Sequence, residues 1–408
     1  MRSGPNVLDT VLPARLGPDF RKLLASSWST NLGDGVAAAG GPLLVAALTD
    51  DPFLISLAAL LRWAPPLLFG LYAGALADRH DRRRLVLAAN VVRVVVLLAL
   101  IAGLAAGVVT VLPALAALGL LSTAEVFADG STSTLAPMLV GRDDLAVANA
   151  RLQAGFITLN QLAGPALGAM LFAAGMAWPF VAEAALVAAA VLMVARMSLP
   201  PHVVPESAGV RQAIVEGLRW TVRHPAVRTL SLTILIFNVT FGAAWSVLVL
   251  YATQRLGLGA VGFGLLTSVS AAGGLLGIAG YDWLTRRVSL GNVMRAGLII
   301  ETLTHLSLAV TGTPWVAMTI FFVFGAHAFI WGTTSITVRQ RAVPAGLLGR
   351  VNSVNTICVY GGLVVGSVIG GALATRFGVV APFWFAFAGS AVFVVLIWRS
   401  LSAVAHAH

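Results

Sequence analysis

The sequence predicts an all-α polytopic membrane protein, with twelve transmembrane helices in two pseudo-symmetric six-helix bundles. Of the 408 residues, 58% are hydrophobic and 10% charged, and the mean hydropathy is +0.91; an ordinary soluble domain carries about 25% charge. The apolar residues fall into runs of the roughly 20 residues that a helix needs to cross the hydrocarbon core. Polar turns separate the runs, and basic residues concentrate in alternate turns.

Taken in order, residues 1–19 are a polar, Pro-containing cytoplasmic lead-in without a cleavable signal pattern. Spans 1 to 6 are expected at 20–48, 53–77, 85–106, 109–134, 145–174 and 177–196, which makes 20–196 the first bundle. The segment 197–226 is a cytoplasmic linker: it holds Pro200, Pro201 and Pro205, then an amphipathic stretch from Val210 to Arg223 suited to a membrane surface. Spans 7 to 12 are expected at 227–253, 259–283, 289–310, 314–338, 346–374 and 379–399, so 227–399 is the second bundle and 400–408 a cytoplasmic tail.

The turn from Gly74 to Arg84 orients the chain. It places six charges between Asp78 and Arg84, four of them arginines, between two apolar runs. Short loops rich in Lys and Arg stay on the cytoplasmic side. With both termini inside, all 26 Lys and Arg residues fall in cytoplasmic segments except Arg255 and Arg376 outside and Arg62 and Arg93 within spans. An even number of spans with both termini cytoplasmic is therefore expected. The formal charge of +10 follows from this bias and does not indicate nucleic acid.

Enzyme classes find no support. Lys22 is the only lysine and belongs to no phosphate-binding loop, and there is no HExxH. Cys358, the only cysteine, allows neither a disulfide nor a cysteine metal site. No cofactor is expected; membrane lipids are expected partners of such spans, and the resemblance set out below implies a small-molecule substrate, protons and a monomeric chain.

The halves also look like repeats. Span 5 carries Gly164, Pro165 and Gly168, and span 11 carries Gly362, Gly366 and Gly370, small residues four apart that let helix backbones approach closely. Asp282 precedes Arg286 after span 8 as Asp78 precedes Arg82 after span 2. Two related six-helix units in parallel orientation characterise one large transporter class.

These residues carry a resemblance. Gly74 to Arg84 resembles motif A of the major facilitator superfamily, and Gly164-Pro165 with Gly168 resembles the antiporter motif of its exporters. Leu32-Gly33-Asp34-Gly35 and Gly349-Arg350-Val351-Asn352-Ser353 look like the drug:proton antiporter branch that includes bacterial macrolide and enterobactin exporters. The resemblance covers nearly the whole chain and implies export of an amphipathic organic compound (drug, antibiotic or siderophore-like) by proton antiport with alternating access. A lipid or lysolipid transporter or an importer of the same fold is a second reading; a membrane sensor or assembly subunit that transports nothing is a third. The chain departs from the pattern twice: Asp81 stands where motif A usually has glycine, and span 4 reads Glu125-Val126-Phe127-Ala128-Asp129, without the arginine of many proton-coupled members.

The expected gate comprises Gly74, Asp78, Arg79 and Arg82. Gly74 permits close helix packing, and Asp78 can accept charge-assisted hydrogen bonds that exist in one conformation only. The arginines of the turn also serve as topology determinants near anionic lipid.

Charges inside a membrane are costly and face a cavity or a partner. Asp34, near the midplane of span 1 and flanked by Gly33 and Gly35, could take up a proton, bind a cationic substrate, cap a broken helix or pair permanently with an arginine. Glu125 and Asp129 share a face of span 4, where one could keep a proton and exchange it. Arg62 and Arg93 are the candidate counter-charges. Glu183 and Glu301 are further proton-coupling candidates; His305, one turn after Glu301, could share its proton, whereas His327 reads as a lone core residue. For the substrate cavity the resemblance implies spans 1, 5, 7, 10 and 11, whose candidates are Trp28, Asn31, Phe156, Phe237, Phe241, Trp245, Trp331 and Tyr360; aromatic rings beside acids suit amphipathic cations.

Overall fold

A computed structural model describes residues 16–132, 134–198 and 210–398, with the side chains of Asp78, Val210, Arg211 and Ala213 excepted. Arg2 and Arg15 of the lead-in, most of the linker before Val210, Arg399 and the tail lie outside the described residues. The described chain is helical throughout. Spans 1 to 4 are Pro18–Leu48, Pro52–Arg79, Arg82–Ala105 and Val111–Thr132. Span 5 runs from Leu145 to Ala174 in three joined segments, and span 6 is Trp178–Ala195. After the linker helix Val210–Arg223 come span 7, Pro225–Trp245, then Ala260–Thr285, Leu290–Val310, Pro314–Ala342, Leu348–Phe377 and Ala381–Ile397 as spans 8 to 12. Among the described residues eleven helices are long and apolar enough to cross a membrane, and Ala381–Ile397 is a shorter apolar helix.

Proline and glycine punctuate this pattern. Pro18, Pro52, Pro225 and Pro314 open their spans, where the missing N–H has no intrahelical partner to lose. Gly107 (φ 69°) and Gly378 (φ 87°) form the turns after spans 3 and 11 in the left-handed region that side chains disfavour. Inside span 5, Pro165 has no N–H for the ordinary helical bond, and the preceding segment Phe156–Ala163 widens into a π turn.

Span 7 ends earlier than the apolar run suggests. Val247 leaves helical angles (φ −111°, ψ 15°), and the chain resumes as Leu248–Leu250 and a second π turn, Tyr251–Arg255. Tyr251, buried, donates its hydroxyl to the Leu308 carbonyl of span 9 at 2.7 Å and pins this piece in place.

By contact the chain forms two compact units, Met1–Gly41 with Leu68–Ser207 and Pro42–Leu67 with Ala208–His408. The second unit thus includes the turn joining spans 1 and 2 and the helix ends that flank it. There Ser56 faces Gly371 of span 11, and the Trp63 ring lies 6.2 Å from Tyr360. In the same unit span 11 packs along span 7 and span 8 along span 10. The linker helix lies on the start of span 11, where Gly217 meets the Arg350 carbonyl and Glu216 pairs with Arg350. In the first unit, spans 4 and 6 pack on span 3. A core of Phe20, Leu23, Leu24, Val86, Leu135, Ala148 and Val194 closes one end of that unit.

The small-residue faces lie at close helix crossings. In the first unit a side chain on Gly164 would overlap Gly35, and one on Gly168 would overlap the Val36 carbonyl. In the second, Gly366 meets the Val239 carbonyl and Gly370 the Ala243 carbonyl. Spans 5 and 1 therefore cross as spans 11 and 7 do, backbone against backbone.

Candidate functional site

The first unit's interior charges converge on Arg93. Span 3 presents this arginine, 1% exposed, from its midpoint. Its guanidinium donates to Asp34 of span 1 and, at 3.0 Å, to Glu183 Oε1 of span 6; a longer 3.4 Å bond reaches Asn90 Oδ1 one turn away. Asp34 and Glu183 are themselves 6% and 2% exposed. Local sequence explains the meeting. A side chain on Gly33 would crowd Glu183 Cγ at 3.3 Å, and one on Gly35 would overlap the Asn160 carbonyl of span 5. The two glycines let spans 6 and 5 close on span 1 from different sides while Asp34, between them, reaches span 3. Span 1 stays helical through this motif, so of the roles open to Asp34 the capping of a broken helix does not apply, whereas pairing with an arginine does.

Two carboxylates on one guanidinium leave one net negative charge in a buried site. Glu125, half-buried on span 4, adds to the field at Arg93, and Asp129, one turn beyond, is exposed. Sequence reading pairs Arg93 with these two acids; in the fold its direct partners are Asp34 and Glu183. Glu183 was recognisable as an intramembrane acid, but only the helix crossing shows which arginine it meets. Asn90 is not legible as a site residue, since a polar residue one turn before an arginine carries no distinctive signal.

The turn at the end of span 2 is more structural than expected. Asp81 caps span 3, accepting from the Arg84 N–H at 3.2 Å, and Ser289 caps span 9 in the same manner through the Asn292 N–H. The departure from motif A thus has a local helix-capping role. Arg82 donates from Nε to the Ala77 carbonyl at 3.2 Å and from a terminal nitrogen to the Thr134 carbonyl at 3.1 Å, tying the ends of spans 2, 3 and 4 together. Arg79 is exposed. A side chain on Gly74 would meet open space, and the close approach of span 4 to this part of span 2 is made by Gly130, whose added carbon would lie 3.4 Å from Ala73 Cβ and 3.8 Å from the Gly74 nitrogen. The gating contact expected of Asp78 lies outside the described residues.

The aromatic candidates divide. Trp28 donates from Nε1 to the Arg151 carbonyl at 3.1 Å and lies against Gly155, a packing role between spans 1 and 5. Asn31 bonds within its own helix, to the Ser27 carbonyl at 2.7 Å. Phe237 is 4% exposed and wedged between Leu298 and Phe393, which makes it core rather than cavity lining. Phe156 is exposed on span 5. Phe241 and Trp245 of span 7 stack at 4.3 Å and continue into Phe321 and Phe324 of span 10, with Trp245 5.3 Å and 4.8 Å from those rings. Trp331 is half-buried further along span 10. Arg62 lies 5.4 Å from the Trp63 ring, which in turn neighbours Tyr360.

His305, fully buried, meets the Trp245 ring edge-on at 6.0 Å, and His327 meets Phe324 at 5.4 Å. The two histidines lie within electrostatic reach of each other, so His327 is not alone. Glu301 is half-buried and forms no hydrogen bond or ion pair among the described residues. The same residues contain no group of three or more side chains able to hold a metal ion.

Residues 13–406 match a family model described as transmembrane secretion effector. The multidrug efflux pump Tap of Mycolicibacterium fortuitum is 30% identical over 388 residues, covering 88% of this chain and 90% of the relative. The enterobactin exporter EntS of Salmonella typhimurium is 26% identical over 378 residues, with 89% and 87% covered. Among solved structures, a bacterial homologue of the iron transporter ferroportin in its inward-facing state aligns with a TM-score of 0.77 at 16% identity, covering 94% of this chain and 98% of its own. The nucleoside transporter NupG aligns with a TM-score of 0.72 at 14% identity, covering 95% and 99%. At such identities these two likenesses speak to fold alone.

Proposed function

The chain belongs to the transmembrane secretion effector family and is a multi-pass membrane transporter of the major facilitator type, and on that premise we propose that it exports an amphipathic organic compound from the bacterial cytoplasm in exchange for protons. The observation that carries this reading is the buried triad of Asp34, Arg93 and Glu183. One guanidinium balances one carboxylate; the second carboxylate needs another cation, because an uncompensated charge at that depth is expensive. A proton on either acid neutralises the site. Arg93 then bonds more strongly to the acid left ionised, and the arrangement of spans 1, 3 and 6 depends on which acid that is. Proton arrival and departure at Asp34 and Glu183 thus bias helix packing, which is what coupling requires. Glu125 and Asp129, one turn apart on span 4, are the next acids the proton can reach.

Phe241 and Trp245, the half-buried rings of the second unit's aromatic run, suit a flat or greasy solute. Both termini lie in the cytoplasm in this reading, the chain sits in the inner membrane, and it works as a monomer through alternating access. Gly74 and Asp78 shape the gate, Arg79 supplies charge beside it, and Arg82 holds the helix ends on which it moves.

A drug-sensitivity and substrate-accumulation screen, run in cells with and without the protein, tests the proposal. Cells producing the wild type are expected to accumulate at least one amphipathic cation several-fold less than control cells. Asp34→Asn is expected to lose at least tenfold of that efflux and its dependence on external pH. Unchanged efflux and pH dependence in Asp34→Asn would assign Asp34 a structural role only.

A further inference from the structure

A second group of cations in the first unit has no part in the transport cycle just described. Span 6 ends at Ala195, and basic side chains gather on its last turn. Arg83 donates to the Ala195 carbonyl, and Lys22 Nζ donates to the Arg196 carbonyl at 2.8 Å and to Asp19 Oδ1 at 2.9 Å. Asp19 also accepts from the Ser198 N–H at 3.2 Å. Cations at a helix C-terminus satisfy its free carbonyls, which accounts for Arg83 and for part of Lys22. It does not account for Arg196, which is exposed and bonds through its side chain to nothing among the described residues.

Lys22 and Arg196 line a groove of about 320 Å³ whose remaining lining is Ala189, Leu192 and Met193. Its polar residues are an ammonium, with one of three donors still free, and a guanidinium with its donors unused. Its apolar wall follows span 6 toward the membrane interior, and Leu192 stands 59% exposed on that wall. Positive charge where the span ends, followed by apolar surface along the span, matches a phosphodiester with its acyl chain. A small soluble anion would use the charges and leave the apolar wall uncovered.

We propose that this groove binds an anionic phospholipid, with its phosphate between Lys22 and Arg196 and an acyl chain along Ala189, Leu192 and Met193. Basic pockets between membrane helices hold anionic headgroups in this manner. The lipid would bridge spans 1 and 6, the two helices that carry Asp34 and Glu183, and so steady the spacing of the triad from its water-facing end.

The test uses the purified full chain in detergent, titrated with dioleoyl phosphatidylglycerol or dioleoyl phosphatidylcholine and read by native mass spectrometry. The wild type is expected to retain one phosphatidylglycerol at least tenfold more tightly than phosphatidylcholine. Lys22→Gln with Arg196→Gln should weaken phosphatidylglycerol about thirtyfold, about 2 kcal/mol for two cations, and leave phosphatidylcholine unchanged. Arg196→Gln alone removes no bond of the fold and should weaken it about fivefold. Met193→Trp, which fills the apolar wall with both charges intact, should also reduce retention. Equal retention of phosphatidylglycerol by the wild type, Arg196→Gln and the double variant would overturn the proposal. So would displacement of the lipid by millimolar inorganic phosphate, which would mark a soluble-anion site.

Discussion

Replacing Arg93 by methionine is expected to reduce export at least a hundredfold and to destabilise the first unit by about 3–5 kcal/mol. The substitution keeps most of the side-chain volume but leaves Asp34 and Glu183 facing each other without a cation, both more than nine-tenths buried. Two such groups cannot remain ionised together in a low-dielectric site, so both take protons or the helices separate. A triple variant, Arg93→Met with Asp34→Asn and Glu183→Gln, separates stability from function. Without net charge the site should recover most of the lost thermal stability, because replacing a complete buried ion network is much less costly than breaking one. Export should stay lost, since neither triad position can then take up or release a proton. Measurement of melting temperature in detergent and efflux in cells distinguishes the effects; recovered export in the triple variant would remove the triad from the mechanism.

Gly168→Val is the second large effect, and here the cause is packing. The new side chain would enter the Val36 carbonyl, which belongs to a helix backbone and cannot rotate away. Overpacking of a core costs about 1–3 kcal/mol when side chains can adjust, and a rigid obstacle places this variant at or above the upper end. Gly366→Val should behave alike against the Val239 carbonyl in the second unit. Gly332→Ala provides the control, because its added carbon meets nothing within 4 Å, and the better helix propensity of alanine should make it neutral or slightly stabilising. Yield of monodisperse protein and its melting temperature read the difference. Equal behaviour of Gly168→Val and Gly332→Ala would show that the crossing of spans 1 and 5 tolerates separation.

Much of this architecture is legible in the sequence because the bilayer imposes simple demands. Run length yields the helices, and glycines four apart mark where two backbones touch. The motif Gly33-Asp34-Gly35 is also readable, but only in part. An acid between two glycines at mid-membrane announces a site, whereas its partners depend on which helices cross there, and Arg93 and Glu183 lie far off in the chain. Helical period assigns Arg93 a face without assigning that face a neighbour. The aromatic candidates divide for the same reason: Trp28, Phe237 and Trp245 look alike in sequence, and only the crossings make the first two packing residues and leave Trp245 in a continuous run of rings. Asp81 teaches the opposite lesson. Its role as a helix cap follows from local chemistry, an acid immediately before a new helix, and comparison with a glycine-bearing motif obscured it.

Transport measured under an imposed pH gradient tests the central claim most directly. With the exported compound identified, purified protein in proteoliposomes should move it several-fold faster against an oppositely directed proton gradient than at equal pH on both sides. Substrate movement should drive a measurable counterflow of protons, and Asp34→Asn should abolish both. Substrate flux by the wild type that is indifferent to the gradient and unaccompanied by proton movement would contradict proton antiport through the Asp34, Arg93 and Glu183 site.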